Sequence, residues 1–180
     1  MRVIAGTARG RPLRGPGEPG TRPITDRVKE TLFAILGDRV PDATVVDLYA
    51  GSGAIGIEAL SRGARSVDFV ERGHGALTVI RENLERVRLA SGARVHAMAV
   101  EAYLASAADG PWDLAILDPP YETHAIVAPL RALEPRLVPD AMVVLKHFWR
   151  TEVPTVAGLQ IVRHRRFGET MLTFLEARRR

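Results

Sequence analysis

The chain has 180 residues, 46% of them hydrophobic and 26% charged, with no cysteine and a formal net charge of +4. That length supports one sizeable core, the missing thiols exclude disulfides and thiolate metal centres, and no apolar run approaches the roughly 18–20 residues that span a bilayer. The first residues, Met1 to Gly6, lack the long apolar stretch of a secretory leader, so a cytoplasmic protein with no membrane association is expected.

Residues 1–23 are rich in Gly, Pro and Arg. Residues 2–5 and 11–14 are spaced to pair as a short hairpin, with Pro12 at an edge; a disordered basic tail is the other reading. Thr25 or Asp26 then caps a helix. Its apolar positions Val28, Leu32, Phe33, Ile35 and Leu36 recur at helical spacing until Gly37. From residue 44, strands and helices alternate. Strands are expected at residues 44–49, 66–71, 94–99, 112–117 and 141–146. Helices are expected at 54–62, across 76–87, at 100–107 and at 124–137, the last interrupted near Pro129 or Pro135. Two final strands, around 159–166 and 171–176, flank the turn Phe167-Gly168-Glu169. Alternation of this kind implies a parallel sheet with helices on both faces. The closing pair leaves no room for a helix between its strands, so it is expected to be antiparallel.

Two strand tips carry the chemistry. After the first strand comes Asp47-Leu48-Tyr49-Ala50-Gly51-Ser52-Gly53-Ala54-Ile55-Gly56, with glycines spaced G-x-G-x-x-G between strand and helix. Glycine allows positive φ and close approach of a ligand to the backbone. Glu71 ends the next strand, where an acid accepts from both ribose hydroxyls. Asp47 disfavours a pyrophosphate at this loop and suits an ammonium, which S-adenosylmethionine carries; simple capping of the turn by Asp47 is the alternative. The fourth strand runs into Asp118-Pro119-Pro120-Tyr121. The two prolines stiffen the backbone and leave its carbonyls free to accept. Asp118 and the Pro119 carbonyl suit the two N–H groups of an exocyclic amine, and Tyr121 suits stacking on the base. Positioning of this kind supplies several kcal/mol of catalysis.

All but two of the 25 basic residues are arginine, the exceptions being Lys29 and Lys146. Arginine holds phosphate with a planar fork. Arg2, Arg9, Arg11, Arg22 and Arg27, with Asp26 beside the last, gather at one end; Arg165 and Arg166 lie in a basic hairpin at the other. Both clusters suit a polyanion, and solvated surface or an edge guarded by charge are the plainer alternatives. The single Asn and single Gln weakly suggest a hot habitat. The five histidines lie far apart in sequence, and no metal is expected.

The ordered set R-V-I-A-G, R-P-x-T-D-R-V-K-E-x-L-F, D-L-Y-A-G-S-G-A-I-G-I-E-A-L-S-R-G-A, V-E, D-P-P-Y and F-G-E-T closely resembles the RsmD-type 16S ribosomal RNA guanine-N2 methyltransferases across nearly the whole chain. D-P-P-Y alone is shared with DNA and RNA amino-methyltransferases generally. The resemblance implies a Rossmann-like SAM-dependent methyltransferase fold with a seven-stranded, mostly parallel sheet over residues 41–180, preceded by an RNA-contacting basic hairpin and helix over 1–40. It implies methyl transfer from S-adenosylmethionine to guanine N2 of 16S rRNA, in the small ribosomal subunit or an assembly intermediate, by a monomer. Carried over by motif, Asp47, Gly51 and Gly53 line the methionine end of the cofactor, Glu71 its ribose, and Ala99, Val100 and Glu101 its adenine; Tyr49, Arg72 and Asp118 complete the cofactor set. Asp118, Pro119, Pro120 and Tyr121 form the catalytic corner. Two departures stand out: Lys146-His147 where the family often has an acid, and Phe167 where it usually has Tyr. An amino-methyltransferase acting on another RNA or on DNA adenine, or a non-catalytic assembly factor, are the alternatives. An NAD(P)-dependent oxidoreductase would leave the Pro-Pro-Tyr turn without a role.

Overall fold

The computed structural model describes residues 1–15, 24–106, 110–119 and 124–178. Among these, seven strands form one sheet: β1 (Thr44–Leu48), β2 (Ser66–Glu71), β3 (Ala93–Ala97), β4 (Trp112–Leu117), β5 (Leu137–Phe148), β6 (Leu159–Phe167) and β7 (Thr170–Ala177). Their spatial order is β3-β2-β1-β4-β5-β7-β6. The first five run parallel, and β7 pairs antiparallel with both β5 and β6. The closing hairpin is therefore present as expected, and its second strand is the one inserted against β5.

The parallel strands read as continuous apolar runs because both faces are covered. On one face α1 (Asp26–Leu36), α2 (Ala54–Ser61) and α3 (His74–Val87) pack through Leu32, Phe33, Ile57, Ile80 and Leu84 onto Val45, Val67, Phe69 and Leu114. On the other, α4 (Val100–Ala105) and α5 (His124–Leu133) pack through Tyr103, Leu104, Ile126 and Leu130 onto Val46, Leu48, Ala115 and Val143. Thr25 caps α1, its Oγ1 accepting from the Val28 N–H at 3.3 Å, and Gly37 closes it at φ 50°. Every residue of α2 is buried, Glu58 included. One side of α2 lies on the sheet and the N-terminal segment covers the other. That segment pairs through Arg2 and Pro12 and contributes Val3, Ala8 and Leu13 to the same core.

Several boundaries differ from expectation by one or two residues, β3 among them at Ala93–Ala97 instead of 94–99, and three differences have a clear physical reason. β1 stops at Leu48, because Tyr49 adopts the left-handed region at φ 62° and starts the turn. Pro129 does not interrupt α5; the helix gives way to a 3-10 turn at Glu134–Arg136, where Pro135 ends it. β5 begins four residues earlier than expected, at Leu137 rather than Ala141. Its pairing with β4 shifts register between Trp112 and Leu114, and Asp140 sits there at φ 63°. A bulge at that point lets Pro139 occupy the strand without breaking a regular ladder.

Candidate active site

The order β3-β2-β1-β4-β5 puts the topological switch between β1 and β4. Loops that leave those strands diverge to opposite sides and open a crevice at their carboxyl ends, the usual ligand position in such sheets. Both motifs sit there. β1 and β4 pair in parallel register, Leu48 opposite Leu117, and the Asp118 N–H donates to the Leu48 carbonyl at 3.3 Å. The acid–proline corner is thus fixed one step beyond the last β1 residue.

The glycine loop is held from below and from the side. Gly51 and Gly53 take φ 56° and 74°, which a side chain resists, and little protein crowds the position of a Cβ on Gly51. Glu71 is a hinge pin for the crevice: one carboxylate oxygen accepts from the Gly51 N–H at 2.9 Å, the other from Arg72 and Gly73 at 2.8 and 2.7 Å. Of its roughly four acceptor sites these bonds take three, so one is left for a ribose hydroxyl. The Tyr49 hydroxyl lies 3.2 Å from Glu101 in the first turn of α4 and ties the loop to the segment after β3. Burial, with Glu101 beside it, raises the Tyr49 phenol well above its usual value. Val100 is buried, whereas Glu101 and the Arg72 side chain are exposed.

Asp47 is 2% exposed, and one oxygen accepts from the Gly56 N–H of α2 at 3.0 Å. Burial pushes its carboxyl up to about 8; Asp118 and Glu71 add to that, and the Gly56 bond opposes it. The contact made is the capping one, from beneath the loop, so an ammonium would meet a mainly protonated acid unless its own charge drew the proton off.

Asp118 has a partner that motif reading missed. Lys146, at the tip of β5, places its ammonium 2.7 Å from both carboxylate oxygens. Burial raises the Asp118 carboxyl and Lys146 opposes that rise. The side chain of Asp118 remains 30% exposed against 10% for Lys146, so the pair still offers acceptor positions to a ligand. The sequence signalled Lys146 only as a departure from the family. Asn83 was missed too. It is fully buried, its amide donating to the carbonyls of Ser52 and Arg14 at 3.0 Å while its oxygen accepts from the Arg14 N–H at 2.8 Å, so it anchors the glycine loop to the N-terminal segment.

Pro119 is buried beside Asp118; Pro120, Tyr121 and Arg22 lie outside the described residues. Of the N-terminal basic residues, Arg2 pairs with Asp26 at 3.3 Å and Arg11 donates to the Val87 carbonyl at 2.6 Å, whereas Arg9 and Arg27 are exposed. Arg165 and Arg166 project from β6. Among the described residues, no group of three His, Asp or Glu side chains is arranged for a metal ion, and no helix is long and apolar enough to cross a membrane.

A family model described as "Conserved hypothetical protein 95" matches residues 1–176. Ribosomal RNA small subunit methyltransferase D of Escherichia coli (strain K12) is 35% identical over 158 residues, 87% of this chain and 79% of the relative. The chain belongs to the RsmD-type methyltransferase family. Among solved structures, a hypothetical protein from Thermus thermophilus matches this RsmD-type chain with a TM-score of 0.83 and 32% identity, over 97% of this chain and 98% of the other. TrmN from Thermus thermophilus, at 22% identity and a TM-score of 0.72 over 86% of this chain and 49% of its own, shares the Rossmann-like methyltransferase fold.

Proposed function

We propose that this RsmD-type protein transfers the methyl group of S-adenosylmethionine to the exocyclic N2 amine of a guanine in 16S ribosomal RNA. The observation that carries the reading is the juxtaposition of the Glu71-braced glycine loop and the Asp118–Pro119 corner on adjacent strands across the switch point. The residues fit the cofactor: an open approach to Gly51, an acid placed for a ribose hydroxyl, and no arginine or lysine in the loop itself to favour a phosphate. Bound there, S-adenosylmethionine would supply an electrophilic methyl group.

The protein's part is then orientation. An arylamine is a poor nucleophile because its lone pair is delocalised into the ring. Asp118 accepts one N–H and the Pro119 carbonyl the other, which turns the nitrogen lone pair toward the cofactor side of the crevice. Lys146 favours the ionised, accepting form of Asp118. Asp118 is also the nearest acceptor for the proton that the nitrogen sheds once methylated. The names of curated relatives support ribosomal RNA of the small subunit as the substrate class.

The test is incubation with labelled S-adenosylmethionine and small subunits from a strain lacking the enzyme, followed by mass mapping. Label on guanine N2 is expected; label on DNA, or on a ring nitrogen, overturns the proposal. Asp118→Ala is expected to reduce turnover at least a thousandfold while cofactor affinity changes less than about threefold, since the positioning effect belongs to the amine.

A further inference from the structure

One surface at the active-site end of the sheet has no part in cofactor or base binding. β5 continues past Lys146 into Phe148, and the chain then turns, the Thr151 N–H donating to the Phe148 carbonyl at 2.9 Å. Trp149 lies in that turn, its backbone N–H fixed on the Glu169 carbonyl at 2.9 Å. Two guanidiniums stand over the indole, which stays partly exposed: Arg166 is 3.9 Å and Arg150 4.6 Å from the ring centre. Arg166 also donates through Nε to the Gly168 carbonyl at 2.8 Å. Next to them β6 forms the sheet's edge, with residues 160–166 exposed throughout, Arg163 and Arg165 among them.

This cluster is free of the carboxylate pairing that engages several arginines elsewhere in the chain. Arg2, Arg14, Arg39, Arg62 and Arg94 each pair with a carboxylate. Among the described residues no ion pair involves Arg150, Arg163, Arg165 or Arg166. Stacking on an indole holds a guanidinium in place while leaving its N–H edge outward, and that edge matches a phosphate. Register sets where this edge lies. Phe148 and Phe167 both pair with Thr170, so the β6–β7 turn and Trp149 sit at the same end of the sheet as Asp118 and Lys146. At the rise of an extended strand, Trp149 is about 10 Å along the chain from Lys146.

We infer that Trp149, Arg150 and Arg166, with Arg163 and Arg165 behind them, form a docking platform for the RNA that flanks the target base, the arginine edges holding phosphates and the exposed side of the aromatic group taking a neighbouring base. The inference rests on the functional reading above and deepens it. It moves the principal RNA contact from the N-terminal arginines, several of which are engaged within the fold, to the β5–β7 corner.

The experiment compares wild type, Arg150→Gln/Arg166→Gln and Trp149→Ala in methylation of unmethylated small subunits, across substrate and salt concentrations. Both variants are expected to raise KM for the subunit about tenfold, as loss of a base stack or its cations does, with kcat and cofactor affinity unchanged. The double arginine variant is also expected to flatten the salt dependence of log KM by about 1.5 in slope, the effect of two lost phosphate contacts. Both arginines are at the surface, so that variant keeps its fold even where Trp149→Ala does not, and Trp149→Phe is expected to stay near wild type. Wild-type KM and slope in the double arginine variant overturn the platform alone. A raised KM for subunits with unchanged affinity for protein-free target RNA assigns the surface to a ribosomal protein and also overturns it. A wild-type protein that methylates no RNA overturns the functional reading itself.

Discussion

Asp118 and Lys146 form one ion pair that would set the working state of the proposed catalytic corner. Burial raises the Asp118 carboxyl, and an acid that takes up a proton gives up part of its capacity to accept from an amine. Replacing Lys146 by Met keeps the bulk and removes the charge. With the opposing influence gone, burial is expected to raise the Asp118 carboxyl further. The acid limb of the kcat profile is therefore expected to move to higher pH, with activity on that limb lower and recovering as pH rises. An unchanged limb would mean that Asp118 works independently of Lys146. Asp47 gives a complementary prediction about stability. Its folded-state value, about 8, stands above the ordinary 3.8, so between those pH values the folded chain holds a proton that the unfolded chain releases. Stability then falls as pH rises through that window, by at most about 1.4 kcal/mol per pH unit from this group. Asp47→Asn retains an acceptor for Gly56 and cannot ionise. Its urea midpoint is expected to be flatter than that of wild type between pH 4 and 8, and identical pH profiles would disprove the assignment.

At the scale of elements, what was legible followed from local pattern. Strands β2 and β4 fall at the expected residues because each is a short apolar run bounded by turn formers, and α1 starts directly after Thr25 because that cap lies beside its apolar stripe. Insertion of β7 between β5 and β6 was not legible, since periodicity marks a strand and not its neighbour. The same limit hid Lys146, which meets Asp118 from 28 residues away across a strand pair, and Asn83, which reaches Ser52 from 31. The glycine motif turned out to have a packing role that its nucleotide reading did not include. Gly56 lies against the sheet, and a Cβ there would stand 2.3 Å from Phe69 Cε1 and 2.9 Å from Val67 Cγ1. Neither can retreat far in a close-packed core. Gly56→Ala is expected to lift α2 and to cost about 1–3 kcal/mol in urea unfolding. Because α2 carries the end of the glycine loop proposed to hold the cofactor, cofactor affinity is expected to fall with it. A variant with wild-type stability and affinity would show that the interface is looser than these distances require.

Across the whole molecule, the N-terminal segment and the sheet meet at one buried carboxylate. Glu58 on α2 is fully buried and accepts from the N–H groups of Ile4 and Ala5 at 2.8 and 3.0 Å. It also pairs with Arg62 at 2.8 Å and with Lys29 of α1, itself fully buried, at 3.3 Å. Lys29 in turn donates to the Arg2 carbonyl. Three segments distant in sequence thus share one acid, which explains why a charged residue occupies the middle of an otherwise enclosed helix. Burial lowers the Lys29 ammonium from its usual value, and Glu58 is the largest influence opposing that shift. Removing the acid leaves a buried cation without its counter-charge and two backbone donors without an acceptor, and breaking a buried pair in this way costs about 3–5 kcal/mol. Glu58→Ala is therefore expected to lower stability by that amount. The loss is expected to be concentrated at the N-terminal segment, with amide exchange accelerating first at residues 3–13 and in α1, before the β1–β4 core opens. Glu58→Gln keeps an acceptor but loses the charge, so it is expected to fall between wild type and Glu58→Ala. Exchange that accelerates uniformly across the sheet in Glu58→Ala would show instead that the segment and the core unfold as one cooperative unit.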